Sequence, residues 1–228
     1  MDDLYERGWR MNHEIEFFPE EHIYLVDGQE VPSVTTILNY MSDVEYRGIS
    51  PAVLDQAAKR GTLVHEYTEL LDYDALPDEI EYEVVGYIKA YADFLRDYKP
   101  DWLLIETPVY SEHHGYAGTV DRFGIIDGKK SVVDIKTVAS PTKMQKFTVS
   151  SQTSAYEMAI AETYRPGETR RPDRRYALYL GKDGDYNLVD LNEYDEKYGY
   201  DSWHIFKKCL DFYKVIQILK GAKPIRKE

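Results

Sequence analysis

The chain has 228 residues, 43% hydrophobic and 30% charged, the composition of a globular protein large enough to bury its own core. Its single cysteine, Cys209, excludes an intramolecular disulfide, a Cys-rich zinc site and a cysteine-ligated iron–sulfur cluster. The net charge of −13 is uneven: residues 1–118 carry 8 basic and 25 acidic side chains (−17), residues 119–228 carry 20 and 16 (+4). The second half, with Lys143, Lys146, Arg170, Arg171, Arg174 and Arg175, is compatible with a partner that bears phosphates and equally with a solvated charged surface. Residues 1–7 are charged and hold no apolar segment, and nowhere do about eighteen apolar residues run together, so neither a signal peptide nor a membrane span is expected. The expectation is a soluble, cytoplasmic protein.

In chain order, residues 14–31 alternate apolar with charged and contain Asp27-Gly28, which predicts an N-terminal β-hairpin. Pro32-Ser33 introduces a short helix over 34–41, capped by Ser33. Helical spacing follows over 50–71, where Gly61 either costs about 1 kcal/mol or breaks the helix in two. A second amphipathic helix spans 81–98 and stops at Pro100. The period then changes to two, predicting strands over 102–110, 116–126 and 131–138, joined by turns at His114-Gly115 and at 127–130. A helix over 144–164, strands over 176–180 and 186–191, and a helix over 201–219 complete the chain. No repeat or linker divides it, so one domain over residues 1–228 is expected, a mixed α+β arrangement with helices covering a central sheet.

Chemistry concentrates on a few positions. Asp134 and Lys136 project from the same face of their strand, and a carboxylate beside an ammonium suits metal-assisted hydrolysis. The same Asp-x-Lys spacing recurs at Asp97, Asp127 and Asp195, read as a helix end, a turn and a charged loop. Asp134 differs by lying in the apolar run Val132-Val133-Asp134-Ile135, where a charge must be paired, metal-bound or at a cleft. A strand-edge salt bridge is the plainer alternative. Asp121 sits thirteen residues earlier, on the preceding strand, within reach of the same cation or of a partner such as Arg122. Gly118 fits a bulge or a close approach of backbone to ligand. His65, beside Leu63 and Val64, suits a ligand or a satisfied structural histidine. His13, His22, His113, His114 and His204 lie in charged or turn contexts and take no role, and Glu106 is left as a supporting group or an ion-pair partner. Gln152 and Tyr156 share a helix face that suits a phosphate or a base, or ordinary helix surface.

Taken in order, Gly61-Thr62-x-x-His65, Gly118-x-x-Asp121, Asp134-Ile135-Lys136 and Gln152-x-x-x-Tyr156 resemble the RecB-like branch of the PD-(D/E)XK nuclease superfamily, over roughly residues 50–160. Asp27-Gly28 followed by Val31-Pro32-Ser33-Val34-Thr35 also looks like the opening of its phage- and prophage-type exonucleases. The resemblance implies a restriction-endonuclease-like core: a central mixed sheet flanked by helices over 50–180, an N-terminal hairpin extension over 1–49, and a closing strand and helix over 181–228. It implies His65, Asp121, Asp134 and the backbone carbonyl of Ile135 as ligands of Mg²⁺ or Mn²⁺. Lys136 becomes the catalytic lysine acting with Asp121 and Asp134, and Gln152 and Tyr156 become substrate contacts. The activity implied is a metal-dependent exodeoxyribonuclease of recombination or repair, with DNA as partner, a phage recombination protein as a further one, and a ring or other homo-oligomer as its assembly. The four-cysteine iron–sulfur cluster that some members add is not expected, and no Gly-x-x-x-x-Gly-Lys loop is present to drive a motor. Two other readings stay open: the same fold binding DNA ends or a protein without cutting, and a hydrolase acting on RNA or nucleotides.

Overall fold

The computed structural model describes residues 13–138, 140–163 and 172–221. Alternating apolar residues form β1 (Ile15–Phe18), β2 (Ile23–Val26) and β3 (Gln29–Val31), an antiparallel three-stranded sheet, so the expected hairpin gains a third strand. Asp27 and Gly28 take φ of 49° and 75°, and Asp127 and Gly128 take 49° and 73°, the doubly left-handed backbone of a two-residue hairpin turn. Ser33 accepts from the Thr36 amide to cap α1 (Val34–Glu45). Ser50 caps α2 (Pro51–Asp72), whose 22 residues pass through Gly61 without a break. Next comes α3 (Val85–Tyr98), ended by Lys99 in the left-handed region.

The main sheet contains β4 (Asp101–Ser111), β5 (Tyr116–Ile126), β6 (Lys129–Lys136), β7 (Arg174–Leu180) and β8 (Tyr186–Asp190), hydrogen-bonded in that order. Only β6 and β7 run parallel, with α4 (Lys143–Thr163) connecting them, so the sheet is mixed as expected. One face packs on α1, α4 and α6 (Ser202–Leu219), around Val109, Tyr116, Phe123, Tyr156 and Phe206. The other packs on α2 and α3, around Val64, Tyr91, Phe94, Val133 and Ile135. Covered on both sides, central β6 reads as the near-continuous apolar run that makes Asp134 conspicuous. The small sheet docks on β5: the Ala117 amide donates to the Pro32 carbonyl at 3.0 Å, and the Tyr24 and Thr119 hydroxyls meet at 2.9 Å.

One helix escapes the periodicity altogether. Asp190 accepts from the amides of Asn192 and Glu193 and starts α5 (Leu191–Tyr198), which Gly199 closes at φ 67°. The expected charged loop around Asp195 is therefore helical, and Asp195 itself is buried against Arg175 at 2.8 Å. Among the described residues no helix is long and apolar enough to cross a membrane.

Candidate active site

The site forms where β5 and β6 separate. Their ladder runs from Ile126↔Lys129 to Arg122↔Val133 and stops one pair short of Asp121 and Asp134. There the Asp121 carboxylate takes over as acceptor, and Oδ2 receives the Ile135 amide at 2.6 Å. Val120 and Phe123 both face the α4 side, so two residues rather than one or three lie between them. That slip in alternation lets Asp121 and Arg122 both reach the α2 side, where their side chains meet His65 and Asp72 respectively. Opposite them, Glu106 of β4 holds φ at 41°, a left-handed conformation costly for a side chain within a strand and characteristic of functional sites.

The α2 helix presents His65 to this gap. Its Nδ1 lies 2.9 Å from Glu106 Oε1, and its Nε2 lies 3.2 Å from the Ile135 carbonyl and 3.9 Å from Asp121 Oδ2. Glu106 is held in turn by Arg122, fully buried, whose Nη1 donates to Oε1 at 2.8 Å. The same guanidinium donates to Asp72 at 2.6 Å, to the Thr68 hydroxyl at 3.1 Å and to the Asp121 carbonyl at 2.6 Å. Arg122 is thus no partner of the Asp121 carboxylate; it ties α2, β4 and β5 together behind it. Asp134 and Lys136 face the same way, Nζ to Oδ2 at 2.7 Å, on a central strand and not at an edge.

Burial and charge set the protonation of these groups. Burial pulls the His65 imidazole down, but the Asp121 and Glu106 carboxylates outweigh it and lift the pKa to about 9. Burial pushes Asp134 up to about 6, an effect that Lys136 opposes, and raises Asp121 as well. Burial would lower Lys136, yet Asp134 and Asp121 hold it above the ordinary lysine value. Glu106 goes below its ordinary value, since His65 and Arg122 override its burial.

A cleft of about 1020 Å³ opens over the site, with His65, Glu106, Ile135 and Lys136 on its floor. Leu54, Ala57, Ala58 and Gly61 of α2 form one wall, and Phe17, Pro19 and Thr119 stand on the other side. The donor set fits a hard divalent cation. Ligand atoms of His65, Glu106 and Asp121 lie within 4.8 Å of one another, the Ile135 carbonyl is adjacent, and buried Asp134 Oδ1 has no hydrogen-bond partner among the described residues. Asp134 stands outside the tight group of three, which Glu106 completes instead.

The remaining expected residues sit behind the site. Gln152 and Tyr156 are both buried, the Gln152 amide donating to the Tyr156 hydroxyl at 3.1 Å, and neither lines the cleft. Gly118 serves that ring: a Cβ there would lie 2.7 Å from Tyr156 Cε1 and 3.2 Å from Val34 Cγ2. Of the basic residues, Arg170 and Arg171 lie outside the described ones. Arg174 is 3.5 Å from Asp190, and Arg175 is buried against Asp195, Glu157 and the Ser150 carbonyl, a structural role. Glu106, left open as a supporting group or an ion-pair partner, pairs with both His65 and Arg122. Arg122 and Asp72 are the functional candidates that the motifs do not reveal: Arg122 shows only as a charge within an apolar strand, and Asp72 lies in an acidic stretch where nothing local marks it.

Compared with known proteins, the chain matches no protein family and no curated protein. Among solved structures it is similar to one titled "Crystal structure of SSO0001", with 14% sequence identity and a TM-score of 0.33 over 83% of this chain and 86% of that one.

Proposed function

We propose that the protein is a Mg²⁺- or Mn²⁺-dependent nuclease that hydrolyses DNA phosphodiester bonds from DNA ends, in the cytoplasm. The observation that supports this best is the grouping of His65, Glu106 and Asp121, whose ligand atoms lie within 4.8 Å of one another, beside the Asp134–Lys136 pair of the adjacent strand, with His65, Glu106 and Lys136 lining one cleft. His65, Asp121, Asp134 and the Ile135 carbonyl would hold the cation, with Glu106 orienting the imidazole and available as a further oxygen ligand. Bound there, a divalent cation supplies Lewis acidity to an attacking water and offsets negative charge on the phosphate. Lys136 stays protonated and faces the cleft, so its N–H groups can donate to phosphate oxygens as charge builds during attack. Asp134 aims that ammonium, and the Ile135 amide fixes the Asp121 carboxylate. Gln152 and Tyr156 would support the acids from the α4 side. The preference for ends follows from the likeness of the N-terminal stretch to phage-type exonucleases.

A substrate panel tests the reading: linear duplex, nicked and closed circles, single strand and RNA, each with Mg²⁺ and with EDTA. Linear DNA should be degraded, closed circles left intact, and EDTA should stop the reaction. Lys136→Ala should remain folded and lose about 10²–10⁴-fold in turnover. A Lys136→Ala protein that cuts like its parent overturns the mechanism. Cleavage of RNA alone would move the substrate class, and cleavage of nothing would leave a binding module.

A further inference from the structure

The cleft poses an electrostatic problem for its own substrate. Among the described residues, Arg60 and Lys136 are the only lysine or arginine lining it, against Glu66, Glu69 and Glu106, with Asp121 and Asp134 buried close behind. A protein grips a DNA backbone by neutralising phosphates with basic side chains. Most of that grip has to come from another part of the surface.

The tip of the β4–β5 hairpin offers one. On α6, His204, Lys207, Lys208 and Asp211 fall at i, i+3, i+4 and i+7, a single helical face. Across from it stands the hairpin turn with His113 and His114, and together they enclose a concavity of about 160 Å³. The turn is anchored: Lys214 Nζ donates to the His114 carbonyl at 3.1 Å, the His113 amide donates to Glu162 at 3.1 Å, and the His114 ring meets Trp203 edge-on at 4.9 Å. Lys207 Nζ lies 5.7 Å from the Trp203 ring centre, which holds its stem against the helix. His113, His204 and Lys208 are exposed, and Asp211 is the one acid in the lining among the described residues. A charged helix face alone is ordinary solvated surface. A second, fixed element that closes over the same face makes a pocket of it. From Pro108 in the cleft wall to the end of β4 at Ser111 the strand advances three residues, about 10 Å or the length of about three base pairs at 3.4 Å each, and His113 lies in the turn just beyond.

We propose that this concavity is a second phosphate-binding site, which holds the DNA backbone flanking the end that lies in the cleft. The inference rests on the nuclease reading. Lys207 and Lys208 supply charge, and the imidazoles of His113 and His204 supply N–H donors in either protonation state. The hairpin would then present the reacting end at its midsection and the flanking backbone at its tip.

Binding of a short end-labelled duplex in EDTA, where hydrolysis is off, tests it across a series of salt concentrations. Lys207→Gln/Lys208→Gln is compared with His113→Asn/His204→Asn and with Lys89→Gln/Lys129→Gln, a control on α3 and the first residue of β6. The lysine pair at the patch should bind about tenfold more weakly, with a salt slope smaller by roughly two. The histidine pair should weaken binding with a smaller change in slope, both should cut saturating DNA at the parental rate, and the control should change neither property. Unchanged affinity in both patch variants, or an equal loss in the control, overturns the site. If the parent binds duplex through the patch yet cuts nothing with Mg²⁺ or Mn²⁺, the patch stands and the nuclease reading falls. If the parent binds no DNA, the patch falls.

Discussion

His65 shows how a single side chain can report on the site. Its charge is shared between Glu106 and Asp121, which is why its pKa stands near 9 rather than 6.5. A histidine raised in this way stabilises the fold fully below pH 6.5 and loses that contribution as pH rises through 9. The ring is one-quarter exposed, so solvent screens the pairing and the loss should be about 2 kcal/mol. In EDTA the denaturation midpoint of the parent should fall more between pH 6.5 and 9.5 than that of His65→Gln. Parallel curves would mean that the imidazole is not paired in solution. Asp134 and Lys136 were legible in the sequence because charge in an apolar strand is conspicuous. Glu106 was legible only as an open supporting or pairing group and Arg122 only as a neighbour of Asp121, because the orientation of both comes from a local slip in the strand that strict alternation does not encode.

At the scale of elements, α2, β4 and β5 meet on the Arg122 guanidinium. Arg122→Met would leave Asp72 buried without its cation, so a loss of about 3–5 kcal/mol is expected in chemical denaturation. Asp72→Asn added to it should recover part of that loss, and an additive pair would disprove the coupling. Two glycines make opposite predictions. Gly61 lies within α2 with open space around its missing Cβ, so Gly61→Ala should stabilise by about 1 kcal/mol. Gly118→Ala would force the Tyr156 ring aside and should cost about 1–3 kcal/mol by the same measurement. The elements themselves were mostly readable from period and caps: Ser33, Ser50 and the Asp-Gly turns fall where helices and hairpins begin. Helix α5 was not, since its eight mostly polar residues owe their conformation to the Asp190 cap and to Arg175 gripping Asp195. The candidate acids were readable as positions on strands, but how tightly they group with His65 depends on the separation of β5 and β6, which no local pattern encodes.

Over the whole molecule, the candidate ligands come from α2, β4, β5 and β6, so an unfolded chain holds no comparable site. A cation bound only by the folded form stabilises it by about 2.7 kcal/mol at a hundredfold excess over its Kd. Mg²⁺ or Mn²⁺ should therefore raise the melting midpoint of the parent and leave that of Asp121→Asn unmoved. The rise should grow between pH 6.5 and 9, because the ion must displace the proton that His65 otherwise keeps. Equal shifts in parent and variant would place the ion elsewhere.

The guanidinium knot also bears on how a guest could get in. Prising the end of the long helix that holds Asp72 away from the strands would strand opposite charges in a dry interior. The facing flank, the small first sheet, is tied to its neighbour without buried charge, through a hydroxyl pair, a backbone bond and His13 against Tyr110 and Glu112. Separation there would cost less than separation at the helix, and it would leave the spacing of the reacting groups unchanged.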